Sequence, residues 1–511
     1  MDSYFADAKL RNLIIAVVFI FVFLVTTVNV ISGSLFGILL VGGVTAFFVF
    51  NVLLPIRKYW LVMALGLCLV PAALPLPILN RFTVGLLFGI FLWLIQLADT
   101  AMQHHGRADI PSCFADRLMM LVAVVITVRV LWDRPGSVHM GESGGLGEAI
   151  WFFVGILLYF MLRRQAWTCE FSWRQCSILL LMALVGFIWP FVAWVLHSGG
   201  GFYRGWFFHY SMWLMGPLVI ARVVYRYEGK MNWRVIVLGL VYLALSIVSP
   251  HRSRVVFALC SLVIMGLIYR RARQAFVILT ILVTALAFWI MGRGYENLPV
   301  VVQRPLSTLA DLLGGSRDSL SRKGELGFSS GFRKTMYMYG WEQIKKHPLV
   351  GRGASLSREE LIAQLNSSNY MYGSLALSGK YHNSYFQLAV QYGVPAMLMF
   401  TLATCLIIFP FFKWARDRAN ANGRMWAAMI VGFFSGIMGQ TLFNGGGEMF
   451  YCVCLLLGTM RGMMLNPLLL ESAPLPATPE SLPAPRRVGS LLASHAQSGV
   501  RRSAPTFGRA W

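Results

Sequence analysis

The sequence predicts an all-α, polytopic integral membrane protein with about 12–14 transmembrane helices and one large extracytoplasmic loop. Three observations predict it. Of the 511 residues, 57% are hydrophobic and only 13% charged, with a mean hydropathy of +0.64, and a soluble domain of this size could not hide that much apolar surface. Apolar runs long enough to cross a bilayer recur along nearly the whole chain. Basic clusters fall in the short connections between those runs, on every second connection.

Taken in order, the candidate spans cover 12–32, 34–55, 59–79, 82–98, 118–133, 148–162, 177–197, 206–225, 234–249, 253–269, 275–291, 384–410, 425–443 and 449–466. The first is too long for a signal-peptide core, and no A-x-A site follows it, so it is expected to remain as a span. Lys9 and Arg11, Arg57 and Lys58, Arg163 and Arg164, Arg226 and Lys230, Arg270 to Arg273, and Lys413 to Arg424 all fall on one face. The chain after Arg461 shares that face. Positive charge on short loops marks the cytoplasmic side, so both termini are expected inside.

The other face carries short turns and one long segment, the loop 292–383, which is expected to be periplasmic. It holds 12 Lys plus Arg against 7 Asp plus Glu. A basic surface outside the membrane suits an anionic substrate held at the outer leaflet. Within the loop, Arg333 to His347 reads as a helix stopped by Pro348, with Arg333 in its first turn. Arg333, Tyr337, Trp341 and Ile344 recur at helical spacing and are expected to share one face. Asn383 and Ser384 are both good N-cap residues, and the apolar span 384–410 starts there.

Composition excludes several function classes. The formal charge is +23, from 44 Lys plus Arg and 21 Asp plus Glu, but the basic residues orient spans and no nucleic-acid-binding motif accompanies them. The eight cysteines leave the large loop without a disulfide, and Cys452 and Cys454 form only a C-x-C inside an apolar span. His104, His105 and Cys113 fit no metal-site spacing. No Walker A, G-x-G-x-x-G after a strand, H-E-x-x-H or D-x-D motif occurs, so neither metal nor nucleotide cofactor is expected. From 467 to 511 the chain turns to Pro, Ala, Ser and Arg without apolar periodicity, which reads as a disordered, basic, cytoplasmic tail.

The residues fit for chemistry gather on the outer face. His382 stands just before a helix start, where the positive end of the helix dipole disfavours imidazolium and leaves a neutral base. The free N–H groups of the same helix start attract phosphate. A neutral base beside an anion site is suited to activating a hydroxyl. Arg252 and Arg254, in SPHRSRVVFAL, lie at the outer end of a span, where the orientation rule makes arginine uncommon. Snorkelling to headgroups is the plain account of them; a bidentate clamp on a diphosphate is the functional one, and is favoured here. Arg204, in the outer turn GGGFYRGW, and Glu448, next to Asn444 to Gly447, are accessory candidates. Arg129 and Asp133, four apart, can pair along one helix face.

Three blocks carry a resemblance to a known family: SRVVFAL from Ser253, FRKTMYMYGWEQIKKHPLVGRGA from Phe332, and HNSYFQLAVQYGVPA from His382. In this order around one large outer loop they resemble the O-antigen ligase and Wzy-type polysaccharide polymerase superfamily, over about Ser246 to Met464. The resemblance divides the chain into N-terminal transmembrane helices (1–245), an O-antigen ligase-like region (246–466) and the tail (467–511). It implies a fold similar to the GT-C glycosyltransferases and a place in the bacterial inner membrane. It further implies transfer of a glycan from undecaprenyl diphosphate to an acceptor hydroxyl, with His382 as base or acceptor-positioning residue and Arg254 and Arg333 on the diphosphate. Asn383 and Arg352 join as accessory residues. The implied partners are the lipid-linked glycan, an acceptor glycan or lipid A-core, membrane lipids, a flippase and a chain-length regulator. Four positions depart from the family pattern: Ala258 where Leu is frequent, Gln391 where an acid is common, Ala396 where Gly is common, and Arg352 at a usually apolar place.

The resulting expectation is a metal-independent glycan transferase of surface polysaccharide (O-antigen, capsule or exopolysaccharide) biosynthesis, with polymerase slightly ahead of ligase. The alternative is a transporter or flippase of lipid-linked glycans. Transporters tend to show internal pseudo-repeats and helices broken at the midplane; no repeat is visible here, and the polar residues cluster outside the spans.

Overall fold

The structure is a computed structural model. It describes residues 61, 65, 110–132, 145–181, 207–226, 233–248, 253–269, 277, 281, 285, 325–353, 381, 383–443 and 447–470, some of them by backbone alone. Within these, the secondary structure is helical, with one isolated antiparallel bridge between Ala419 and Leu470. The helices are α1 (Phe114–Trp132), α2 (Gly145–Thr168), α3 (Phe207–Arg226), α4 (Trp233–Val248), α5 (Ser253–Ile268), α6 (Glu325–Lys346), α7 (Ser384–Tyr392), α8 (Val394–Asp417), α9 (Ala421–Phe443) and α10 (Gly447–Leu465). The expected spans 118–133, 148–162, 206–225, 234–249, 253–269, 425–443 and 449–466 each correspond to one of them. The spans 12–32, 34–55 and 82–98 lie outside the described residues, as do nearly all of 59–79 and 275–291 and most of 177–197, of which 177–181 are helical.

These helices are apolar on more than the face they bury. On α8, Leu398, Leu402, Leu406 and Phe409 form an exposed stripe at helical spacing, and α1 exposes Leu121, Val124, Val128 and Leu131. Among the described residues, α8 is the helix long and apolar enough to cross a membrane, and only 33% of its apolar window is buried inside the protein. A helix that is apolar all round yet not buried by its own chain needs lipid or another protein around it.

Small residues set the tightest packing. α2 and α10 run side by side in the same direction: Gly155 lies against the backbone of Tyr451, Gly458 against the carbonyl of Tyr159, and Gly462 against the carbonyl of Arg163. Gly458 and Gly462 are four apart, the spacing that lets two helix backbones touch. Phe152, Phe400 and Phe450 fill the adjoining core, with ring centroids 4.5 Å (Phe152–Phe450) and 4.3 Å (Phe400–Phe450) apart. Cys452 and Cys454 are fully buried on α10, in agreement with a packing role. On the other side of the bundle, α5 runs antiparallel to α9. Ser261 Oγ donates to the Gly432 carbonyl at 2.8 Å, and Pro217 of α3 also closes on Gly432.

At one end of the bundle a buried carboxylate joins three helices. Asp116, in the first turn of α1, accepts from the Tyr159 hydroxyl and from the Cys113 backbone N–H at 2.8 Å, and pairs with Arg163 at 2.7 Å. Arg461 of α10 stands 3.9 Å away. At the same end Asn466 donates to the carbonyls of Ala166 and Cys169 at 2.9 and 2.8 Å, and its own side chain accepts from Leu468 N–H. A short 3₁₀ turn, Pro467–Leu469, follows, with Leu469 buried. The first residues of the tail expected to be disordered are ordered: 467–470 are held by this cap and by the Asn420 contacts to Leu468 and Leu469. Residues 471–511 lie outside the described residues.

Two loop expectations also change. The span 384–410 is two helices, α7 and α8, broken at Gly393, whose φ of 91° and ψ of 159° are accessible almost only to glycine. Pro395 then opens α8, where a missing N–H costs nothing. The loop helix α6 ends as expected before Pro348 but starts at Glu325, so Arg333 is in its third turn rather than its first. Its buried side is Met336, Gly340, Gln343 and Ile344, while Trp341 is exposed. The expected face was turned by about one residue, because Gly340, which an apolar count ignores, is the contact point.

Candidate functional site

The site is built where α6 meets α7. Gly340 admits the Phe386 ring, which also meets Tyr337 and Tyr381 edge-on at centroid distances of 5.3 and 5.8 Å. Met336, Ile344, Tyr381, Ala389 and Val390 close this small core.

After Lys346 the chain makes the turn His347-Pro348-Leu349-Val350-Gly351-Arg352-Gly353, which docks on the C-terminal end of α7. The last carbonyls of a helix lack intrahelical partners, and here the turn supplies them. Arg352 N–H donates to the Val390 carbonyl at 2.7 Å and Gly353 N–H to the Gln391 carbonyl at 3.0 Å. Val394 N–H returns a bond to the Pro348 carbonyl at 2.9 Å. Two glycines make the approach possible. Gly351 (φ 68°) lies against the Gln391–Tyr392 peptide, and Gly393 (φ 91°) against the Leu349 carbonyl. Arg129, near the end of α1, donates to the Arg352 carbonyl at 2.7 Å, so a third element holds the turn.

The other end of α7 fixes the surroundings of position 382. Asn383 (φ −150°, ψ 110°) is the N-cap that the sequence predicts. Its side-chain oxygen accepts from Phe386 N–H at 2.9 Å and its carbonyl from Gln387 N–H at 2.8 Å. The Asn383 side-chain oxygen is thereby in use as a helix cap. Tyr381 is 2% exposed. Burial pushes its phenol up to about 12, against the opposing pull of Arg352, so it carries its proton at neutral pH. One face of α7, Ser384, Gln387 and Gln391, is polar and wholly buried. A neutral amide at Gln391 is cheaper to bury there than the acid common in the family pattern.

His382, Arg204 and Arg252 lie outside the described residues. Arg254, Arg333 and Glu448 are described by backbone alone, in the first turn of α5, the third turn of α6 and the first turn of α10. The backbone still orders some of them. Ser261 and Met265 of α5 meet Gly432 of α9, while Met438, further along α9, is within 3.6 Å of the Tyr385 hydroxyl of α7. The start of α5, with Arg254, therefore lies toward the end of the bundle that carries α7. Arg333 precedes Met336 by three residues and Gly340 by seven, so its helical position continues the stripe that faces α7. Arg352 is fully described: it is partly buried, with Nη1 3.4 Å from the Tyr339 hydroxyl.

Arg129 is the residue that sequence reasoning passed over, as half of a pair with Asp133. The signal was present: an arginine close to the expected outer end of a span is the same anomaly that singled out Arg254. Tyr339 and Tyr381 carried no signal of their own.

Residues 235–401 match the family model described as O-antigen ligase. The match spans α4 to the first turns of α8 and contains all three sequence blocks, and it supports the O-antigen ligase superfamily. No curated protein matches the chain.

Proposed function

With residues 235–401 matching the O-antigen ligase family, we propose that the protein transfers a glycan from an undecaprenyl diphosphate carrier to an acceptor hydroxyl at the outer face of the inner membrane. The coarse activity is glycan transfer in surface polysaccharide biosynthesis. The observation that carries the finer reading is the docking of the HPLVGRG turn on α7. With the packing of Gly340 on Phe386 and Tyr381, it fixes the helix bearing Arg333 on α7, the helix that starts just after position 382, at the end of the bundle toward which the start of α5, with Arg254, also lies.

The reaction follows from where charge develops. The acceptor hydroxyl attacks the anomeric carbon, and the bond from that carbon to the diphosphate oxygen breaks. The leaving diphosphate gains negative charge, which Arg254 and Arg333 neutralise, with Arg252 beside them. The hydroxyl proton passes to the neutral imidazole of His382. Attack opposite the leaving group inverts the anomeric configuration. The helix break at Gly393 ends α7 before the apolar run of α8 begins, so in the chain one short helix separates position 382 from the apolar run, and a polyprenyl carrier would present its headgroup beside such a run. Polymerase is favoured over ligase, since nothing in the sequence marks lipid A-core as acceptor.

The test is deletion of the protein followed by analysis of carrier-linked glycan, with His382→Gln as the complementing variant. Single repeat units would indicate a lost polymerase and unattached long chains a lost ligase. Units trapped facing the cytoplasm would replace this reading with a flippase. His382→Gln keeps a hydrogen-bonding group but takes up no proton, and loss of a general base slows the step by about 10²–10⁴-fold. Normal polymer from this variant would remove His382 from the proton transfer.

A further inference from the structure

Arg352 has a backbone that is fully occupied and a side chain that meets no carboxylate among the described residues. Its N–H is spent on Val390 and its carbonyl on Arg129, so the peptide alone fixes the turn on α7. Gly351 provides the close approach to α7, and Gly353, at φ 91°, donates to the Gln391 carbonyl. Nothing in this geometry requires a charged side chain between them.

The guanidinium nevertheless stands beside the site. Of its five N–H donors, among the described residues one reaches the Tyr339 hydroxyl at 3.4 Å and the group also hydrogen-bonds the Tyr381 hydroxyl. Nε is buried without a partner among the described residues, and no described carboxylate pairs with the group. Its charge acts on the phenol of Tyr381, the residue next to position 382. Tyr339 packs on the small core between α6 and α7, Tyr381 sets its ring against Phe386 of α7, and the hydroxyls of both lie beside the arginine. A cation that is partly buried, short of acceptors and flanked by two hydroxyls has the makings of one wall of an oxyanion pocket.

We infer that Arg352 binds an oxyanion group of the lipid-linked substrate, a phosphate or a sugar carboxylate, through its guanidinium between Tyr339 and Tyr381. This rests on the glycan-transfer reading and adds a third cation to it, on the turn rather than on a helix. Phosphate and carboxylate offer the same paired oxygens to the guanidinium fork. They differ in which part of the substrate reaches the turn: the carrier diphosphate or an acidic sugar of the glycan.

The experiment measures binding to the full chain in nanodiscs, for the wild type and for Arg352→Gln, Arg352→Leu and Arg352→Lys. The probes are undecaprenyl diphosphate and a glucuronate-bearing oligosaccharide without lipid. Loss of a charge-assisted contact is expected to weaken binding about tenfold to a hundredfold in the Gln and Leu variants. The Lys variant falls between, because it keeps the charge and loses the fork. Weakening toward undecaprenyl diphosphate assigns the phosphate; weakening only toward the oligosaccharide assigns the carboxylate. Unchanged affinity for both probes in folded variants overturns the inference. So does failure of all three variants to fold, which would make the side chain structural. Wild-type protein that binds neither probe would count against the glycan-transfer reading itself, an outcome distinct from equal binding by wild type and variants.

Discussion

Replacing Gly393 by alanine tests whether the turn and α7 form one unit. The added Cβ would be driven into the Leu349 carbonyl, and the backbone there, φ 91° and ψ 159°, is a region that non-glycine residues scarcely enter. Backbone strain of that kind costs about 1–3 kcal/mol, and the overlap adds about 1–3 kcal/mol more. The bonds that hold the turn are Arg352 to Val390, Gly353 to Gln391 and Val394 to Pro348. At about 0.5–1.5 kcal/mol net for each hydrogen bond, they amount to a similar sum. Release of the turn is therefore the cheapest relief, and the rest of the bundle should stay folded. Lys345 and Lys346 are exposed in the helix end that leads into the turn, and Arg352 lies within it. Limited trypsin digestion of Gly393→Ala in detergent should cut at these three sites at least about tenfold faster, given that about 1.4 kcal/mol is a factor of ten when opening precedes cleavage. Glycan transfer should fall with it. Leu349→Ala, at a side chain 72% exposed, is the control and should change little. Wild-type digestion kinetics together with wild-type transfer in Gly393→Ala would refute the docking argument.

Other substitutions probe the remaining contacts. Asp116→Ala leaves Arg163 and Arg461 without their buried carboxylate and should cost about 3–5 kcal/mol, read as a lower unfolding temperature in detergent; an unchanged temperature would show the cluster to be incidental. Gly458→Val drives side-chain atoms into the Tyr159 backbone and should abolish recovery of monodisperse protein, whereas Cys260→Ala, at an exposed position of α5, should not. Asn383→Ala loses the α7 cap and should cost about 0.5–2 kcal/mol, lowering transfer without eliminating it, and Asn383→Ser should restore it; complete loss in both variants would give Asn383 a direct role in the chemistry. Arg254→Lys should remain badly impaired at equal protein level, because lysine lacks the bidentate fork, and near-normal glycan output would reduce Arg254 to a topology signal.

The sequence made the helical class and most helix positions legible, because apolar run length and basic clustering are properties of single segments. It misjudged features that depend on two segments meeting. Hydropathy ran 384–410 together, since it averages over Gly393 and Pro395 and has no term for backbone angle. The glycine and proline were visible there and marked the break. The face of α6 was misplaced for a related reason: Gly340 contributes nothing to an apolar stripe, yet its lack of a side chain lets Phe386 in. Arg129 and Arg352 are separated by 223 residues of chain, and only the fold shows that the guanidinium of one holds the carbonyl of the other. Asp116 likewise reads as a lone acid in a helix first turn until α2 and α10 bring Tyr159, Arg163 and Arg461 to it.

The pairing of the two loop blocks follows from the same geometry. Gly351 is needed because the Gln391–Tyr392 peptide lies where a Cβ would be, and Gly393 because the Leu349 carbonyl does. Each glycine makes room for the other block's backbone, so neither requirement exists until both segments are in place. The side chain of Arg352, beside Gly351, is free of that constraint. This separates scaffold from chemistry along the stretch 347–394. The glycines, Pro348 and Asn383 set backbone positions, and Arg352 adds its peptide to that frame while its side chain takes no part in it. A substitution at a frame residue should thus release the turn and impair every substrate alike. One at Arg352 should discriminate between substrates by charge while the turn stays docked.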